Sequence, residues 1–424
     1  MKKLANVLEP YQGLRKEIYI IALARTINAM GVMIFPFLAL ILTKKIGMTI
    51  AEAGLWVTIG GALFMPSSLI GGKISDSFGR KKVLVIFETI GALGYATAIL
   101  VEPGMVMIYI LLFSSFMFGL AGPSHDAMIG DLTTPEQRQG AYSLGYLGFN
   151  LGFAFAQVLG GLLFEEHLKW MFAIDVITAL IGISLILFFV KETLGKDEIV
   201  IANKKLDMEE KVEGSILSVL KKRPLLIYFA LASFGYKFIY SGWSFVMPLH
   251  AEANFPGDGA SIYGKLGFTN ALIVVIMTPI LTMLFRKASN LRRIIFAGIL
   301  FTVGFGLLGF ISVQLAFFIS VAIFTLGEIL EAVSGMPFIM NHTPASHRGR
   351  MSSILPIIMG LGYTVGPIVM GKLIDSLSFS ITWYIIGGIG TVATGLMIAL
   401  EIYEKKHRVP PIIIEGEVPE IIVI

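Results

Sequence analysis

The stretch Gly72-Lys73-Ile74-Ser75-Asp76-Ser77-Phe78-Gly79-Arg80-Lys81-Lys82-Val83-Leu84 separates two long apolar runs, 50–74 and 83–100. The connection is too short to form a domain, so two membrane-length helices joined by it must run antiparallel and touch. Gly72 is expected to let the chains come close, and Gly79 to permit the turn. Asp76 is expected to end one helix. Arg80, Lys81 and Lys82 open the next, on the side of the bilayer where basic residues are retained.

The whole composition agrees with this local reading. The chain has 424 residues, 55% of them hydrophobic and only 15% charged, with mean hydropathy +0.81. No soluble domain of that length hides so much apolar surface, which puts the chain in a bilayer. The net charge of +4 is small and comes from loops, so it is no nucleic-acid footprint. With no cysteine there is no disulfide frame, thiolate metal site or Cys nucleophile. His125, His167, His250, His342 and His347 are expected at span ends or in loops, without metal-ligand spacing. No phosphate-binding glycine loop, nucleophile elbow or zinc motif is visible, which argues against an enzyme or an ATP-driven pump. The first apolar run is too long for a cleaved signal and reads as a retained span.

A span needs about 20 apolar residues. Twelve stretches qualify: 18–42, 50–74, 83–100, 105–129, 140–164, 168–190, 225–249, 262–285, 294–313, 315–340, 351–374 and 382–403. The connections are short except 191–223, which is polar and carries both charge signs. The expected organisation is a six-helix bundle over 1–190, a linker at 191–223, a second bundle over 224–408 and a tail at 409–424. Loops on the side of the N-terminus hold 25 Lys and Arg residues and loops on the other side five. The positive side stays inside, so both termini are expected in the cytoplasm. The halves also repeat: a shift of 210 residues lays Arg138 on Arg348, Ser143 on Ser353, Gly152 on Gly362, Gly161 on Gly371, Leu163 on Leu373 and Glu165 on Asp375.

The opening stretch resembles the loop signature of the major facilitator superfamily, G-x-L-A-D-x-x-G-R-K, with Ile74 and Ser75 in place of Leu and Ala. Glu192-Thr193 after the sixth span resembles the family's P-E-T, and Pro135 with Arg138 follows the fourth span as in the family. Gly152-x3-Ala156-Gln157-x2-Gly160-Gly161 is similar to an antiporter signature, with Ala156-Gln157 replacing Gly-Pro. The repeat copy, Gly362-x3-Gly366-Pro367-x3-Gly371, keeps the Gly-Pro. The resemblance implies an all-α integral membrane fold of twelve helices in two pseudo-symmetric bundles. It also implies a gating role for Gly72, Asp76, Gly79, Arg80 and Lys81. Asp131, closing the fourth span, is expected to join Asp76 and Arg80 in a latch between the halves, and Asp76 to face the start of the eleventh span near Met351. Gly152, Gly160, Gly161, Gly362, Gly366 and Pro367 are expected to let helices pack closely.

Charges inside spans are costly and therefore functional candidates. Glu328 and Glu331 stand three apart in the tenth span, where two carboxylates in low dielectric do not both ionise readily, so the pair is expected to carry a proton. Lys237 lies mid-span between Tyr236 and Tyr240, with Trp243 following, and could neutralise either acid. In the first half Arg25 and Asn28 share a helix face, and Arg25 needs an acid or a watery cavity. Arg25, Asn28, Tyr236, Lys237, Tyr240 and Trp243 are expected to line the substrate cavity. Glu88, Asp126 and Asp175 are expected to be structural.

The family resemblance implies a secondary transporter, most like the drug-exporting facilitators. Proton-coupled export of small amphipathic compounds, by a monomer in the cell membrane without cofactor or metal, is the leading expectation. A specific carrier of a metabolite, sugar or lipid-like anionic solute is the alternative, and a non-transporting receptor on the same fold is a third.

Overall fold

A computed structural model describes residues 11–194, 224–310, 313–343 and 348–406. The expected linker beyond residue 194 and the tail 409–424 lie outside the described residues. Among the described residues every regular element is helical. The helices are α1 (Lys16–Ala29), α2 (Ile34–Leu40, continued by a π turn at Ile41–Lys45), α3 (Ile50–Phe78), α4 (Arg80–Ala98), α5 (Met105–Asp131), α6 (Pro135–Leu163) and α7 (Leu168–Phe189). They continue with α8 (Pro224–Ser244), α9 (Val246–Asn254), α10 (Gly259–Leu284), α11 (Asn290–Leu307), α12 (Gln314–His342), α13 (Arg348–Ser376) and α14 (Phe379–Lys406). Eleven segments are long and apolar enough to cross a membrane, counting α1 with α2 and α8 with α9 as one each. The twelfth is α4, whose 19 residues carry Arg80, Lys81, Lys82 and Glu88 and pack between α5 and α7.

Two expected spans, 18–42 and 225–249, are interrupted. The first breaks at residues 30–33, and the second at Phe245. Both breaks have the same cause. Pro36 and Pro248 stand in the first turn of the resumed helix, where a missing N–H is tolerated, and each ring excludes the carbonyl four residues back from a continuous helix. Those positions are Val32, inside the first break, and Ser244, the last residue of α8. The buried Asp175 of α7 lies beside the Met33 backbone at the start of α2.

Helix starts are fixed locally. Thr49 and Glu52 form a capping box at α3, Thr134 and Gln137 form another at α6, and the Ser289 hydroxyl accepts the Arg292 N–H at α11. Large apolar side chains such as Phe188, Leu151, Leu231 and Leu284 remain exposed on the outer surface, as a lipid-facing bundle requires.

Within each half the helices form a bundle, and the halves meet where α3 packs on α13 and α6 on α10. Among the described residues, four hydrogen bonds join the halves. They are Ala51 N–H to Asp375 Oδ2 (2.8 Å), Ile368 N–H to Thr58 Oγ1 (3.1 Å), Lys44 Nζ to Glu252 Oε1 (2.5 Å) and Thr364 Oγ1 to Met65 Sδ (3.9 Å). All lie between the middle of the bundle and the end opposite the Asp76–Arg80 turn. That end is called the far end below, and the other the loop end.

The contacts at the far end obey the 210-residue shift. A Cβ at Gly161 would lie 2.8 Å from the Ala260 carbonyl oxygen, and one at Gly371 would lie 2.7 Å from that of Ile50. Gly54 faces the Pro367 carbonyl, and Gly264 faces that of Gln157. Each pair maps onto its counterpart by 210, so the far end is a pseudo-two-fold interface whose close approach needs a glycine at four positions.

Candidate functional site

The second half holds a polar cluster in the middle of its spans. Lys237 on α8 pairs with Glu331 on α12, Nζ to Oε2 at 2.7 Å. Glu328, one turn away on α12, has different company. Asn270 of α10 donates one N–H to Glu328 Oε2 at 2.8 Å and the other to the Thr325 hydroxyl at 2.9 Å. Tyr240 of α8 lies beside the same carboxylate, and Tyr146 of the first half lies within electrostatic range of it. Among the described residues no Lys or Arg stands within ion-pair distance of Glu328. The two acids expected to share a proton are thus separated by their partners: Glu331 meets a cation, while Glu328 meets neutral donors.

Aromatic rings pack around Tyr240, the residue beside this carboxylate. Tyr240 packs against Phe324 and Tyr363 at 6.2 and 6.5 Å between centroids, and Trp243 against Phe324 and Tyr263 at 5.2 Å each. The Tyr363 hydroxyl is held by Ser244 at 2.6 Å. Tyr236, expected beside them, faces elsewhere. Its ring is fully buried and its hydroxyl donates to Thr394 Oγ1 at 3.3 Å, placing it between α8 and α14 within the bundle wall.

In the first half Arg25 Nη1 lies 3.4 Å from Asp126 Oδ1, and its guanidinium sits 5.8 Å from the centre of the Phe149 ring. Tyr142 donates to the Asp126 carbonyl at 2.8 Å. The acidic partner that Arg25 requires is therefore Asp126. Asn28, one turn further along α1, has its Cβ against Gly182 on α7. Two histidines expected at span ends or in loops lie inside helices. His125 meets the buried Glu88 at 2.8 Å, and His250 accepts the Trp383 indole N–H at 3.0 Å. Among the described residues no group of three or more metal-binding side chains is present.

The expected latch is a network within the first half. Arg80 pairs with Asp76 through Nη1, donates to Ser75 Oγ at 3.3 Å, and reaches Asp131 Oδ2 through Nε at 3.4 Å. Glu192, after α7, accepts the Arg80 and Lys81 backbone N–H groups at 2.8 and 3.3 Å, capping α4 with an anion. Thr193 donates to Asp131 at 3.0 Å, and Lys81 Nζ to the Leu187 carbonyl at 2.7 Å. Asp76 itself stays exposed, inside the last turn of α3 rather than beyond it. The start of α13 near Met351, its expected partner in the other half, lies outside the described side chains.

Gly79 has φ +113° and ψ 140°, and a Cβ there would collide with the Glu192 carboxylate. The close approach expected at Gly72 falls on Gly71, whose Cβ would strike the Leu120 backbone; one on Gly72 would meet only Pro123, at 3.9 Å. Of the packing glycines, Gly152 abuts Thr26 of α1, Gly160 the Phe37 ring, Gly362 Phe234 of α8 and Gly366 Ser241. Gly161 and the Pro367 carbonyl meet the opposite half.

Comparison with known proteins agrees with this architecture. The sequence model of the Major Facilitator Superfamily matches residues 21–334 and 294–419. A Na(+), Li(+), K(+)/H(+) antiporter of Planococcus maritimus is 23% identical over 401 residues, covering 88% of this chain and 93% of that protein. Multidrug resistance protein MdtH of Edwardsiella ictaluri is 22% identical over 374 residues, covering 86% and 89%. A crystal structure of a POT family transporter with 5-aminolevulinic acid superposes with TM-score 0.78 at 14% identity, covering 93% of this chain and 97% of that one. With the family model spanning most of the sequence and the fold shared along almost its whole length, the chain belongs to the major facilitator superfamily, as a multi-pass membrane transporter and not an enzyme.

Proposed function

We propose that this transporter works by alternating access and exports small amphipathic compounds, positively charged ones above all, in exchange for protons. The observation that carries the reading is the contrast between Glu328 and the other charges in the spans. Lys237 and Arg25 are each matched by an acid, whereas Glu328 faces Asn270 and Tyr240, with Lys237 acting on it only from beyond ion-pair distance. A carboxylate in that setting accepts either a proton or an organic cation, and the rings supply cation–π and apolar contact for the latter. Two ligands competing for one carboxylate are exchanged stoichiometrically. The same matching weighs against an anionic solute, because each of these two cations already has an acid beside it.

The moving bodies would be the bundles 1–190 and 224–408, with the basic loop end in the cytoplasm of the cell membrane, as the Lys and Arg distribution supports. The far-end contacts support a state closed at that end.

The test is proton-driven flux of a lipophilic cation in vesicles of the purified full chain. Glu328→Gln is expected to abolish coupling; transport by this variant at the wild-type rate under a pH gradient overturns the assignment. Likeness to the Planococcus antiporter, whose name states exchange of alkali cations for protons, favours a second cargo at the same carboxylate. Flux of sodium, lithium or potassium without flux of organic cations decides for that reading.

A further inference from the structure

The π turn Ile41–Lys45 ends the first span at the far end and presents two adjacent lysines. The widened turn lets both approach Glu165, but only one of them crosses the interface. Lys45 stays within the first half: Nζ donates to the Glu165 carbonyl at 2.7 Å, stands 3.4 Å from its carboxylate and lies 4.7 Å from the centre of the Phe164 ring. Lys44 stands 3.3 Å from Glu165 and 2.5 Å from Glu252, which α9 of the second half supplies. The Glu252 side chain is 12% exposed. Its Oε1 also accepts the Gly257 N–H at 2.9 Å, and its Oε2 is buried without a hydrogen-bond partner.

These contacts place a counter-ion and its carboxylate on opposite moving bodies. When the halves part at the far end, Lys44 must leave Glu252, and a largely buried carboxylate then loses a partly exposed cation, which is unfavourable. A second contact parts along the same line. Asp375, at the end of α13, accepts the Ala51 N–H at the start of α3, where the helix dipole favours an anion. This contact joins a neutral N–H to a carboxylate rather than two full charges, and is the weaker of the two. Glu165, the counterpart of Asp375 under the 210-residue shift, is instead held by the two lysines. The pseudo-two-fold packing is thus fastened differently on its two sides.

We propose that Lys44 and Glu252 form the far-end gate of this transporter, setting the balance between its two access states, with Asp375 on the start of α3 as an auxiliary clasp. This inference rests on the alternating-access reading above.

The chain contains no cysteine, so label sites can be introduced singly or in pairs without background. Spin labels at Glu166→Cys and Asp258→Cys report the far end, and labels at Ser77→Cys and Lys287→Cys the loop end. Distances are measured in the full chain in lipid. Lys44→Ala and Glu252→Gln are each expected to raise the population with far-end labels apart and loop-end labels together by roughly five- to tenfold. Lys45→Ala removes the same charge from the same turn and is expected to leave the populations unchanged. The reversed pair Lys44→Glu with Glu252→Lys is expected to restore most of the wild-type balance. A shift in Lys45→Ala equal to that in Lys44→Ala, or no shift in either Lys44→Ala or Glu252→Gln while wild type samples both states, overturns the gate. A single distance at both ends in wild type, whatever the solute or pH gradient, overturns the transport reading and the gate with it.

Discussion

Glu328 and Glu331 show how one turn of helix separates two chemical roles. Both are carboxylates on α12, and both face the middle of the protein. The difference lies in the atoms brought to them by α8 and α10: the Lys237 ammonium for Glu331, and the Asn270 amide and Tyr240 for Glu328. Removing the charge of Glu331 strands Lys237, so Glu331→Gln is expected to destabilise the protein by about 1–3 kcal/mol, less than a fully buried broken pair because Lys237 is partly exposed. Replacing both partners, Lys237→Met with Glu331→Leu, is expected to recover most of that loss. Glu328→Gln keeps an oxygen for Asn270 and loses no ion pair, so its thermal stability should match wild type even as coupling disappears. Thermal unfolding in detergent, read beside flux, separates the two. A Glu331→Gln protein as stable as wild type means that Lys237 has another counter-charge and that the division of roles is wrong.

At the scale of elements, the α3–α4 turn is the clearest case of sequence dictating form. Gly79 adopts a backbone conformation essentially closed to other residues, and the space where a side chain would go is filled by the carboxylate that caps α4. Gly79→Ala is therefore expected to cost about 1–3 kcal/mol through the backbone alone, with loss of the Glu192 cap in addition. A melting temperature unchanged in Gly79→Ala would show that the turn can be rebuilt. This turn, the twelve spans and the repeat were legible in the sequence because the bilayer demands long apolar runs and the turn demands particular residues. Other features were hidden for reasons equally physical. The interruptions at 30–33 and Phe245 leave hydropathy untouched, since a broken helix is as greasy as a whole one; the available signal was a proline, Pro36 or Pro248, in the first turn of each resumed helix. Asn28 and Tyr236 were assigned to the cavity by their type and position along the span. Which way a residue faces depends on helix phase, and a helix apolar on every side does not reveal its phase. Arg25 needed an acid, but that it would be Asp126 follows only from the packing of α1 against α6 beside α5.

For the molecule as a whole, identical residues should have opposite consequences according to whether they pack within a half or between halves. Gly152 presses on α1 and Gly362 on α8, each inside its own bundle, whereas Gly161 presses on α10 and Gly371 on α3, across the interface. A leucine at Gly152 or Gly362 must deform a bundle in every access state. Overpacking of that kind costs about 1–3 kcal/mol, so these variants are expected to melt earlier without favouring either state. A leucine at Gly161 or Gly371 strains only the arrangement with the far end closed. The halves can relieve it by rocking apart, so these variants are expected to keep near-normal melting temperatures while shifting the label distances toward an open far end. Because Gly161 on Ala260 and Gly371 on Ile50 are related by the 210-residue repeat, the two shifts should be similar in size. All four variants losing stability alike, with no change of state, would mean that the far end is a fixed interface and that the bundles do not part there.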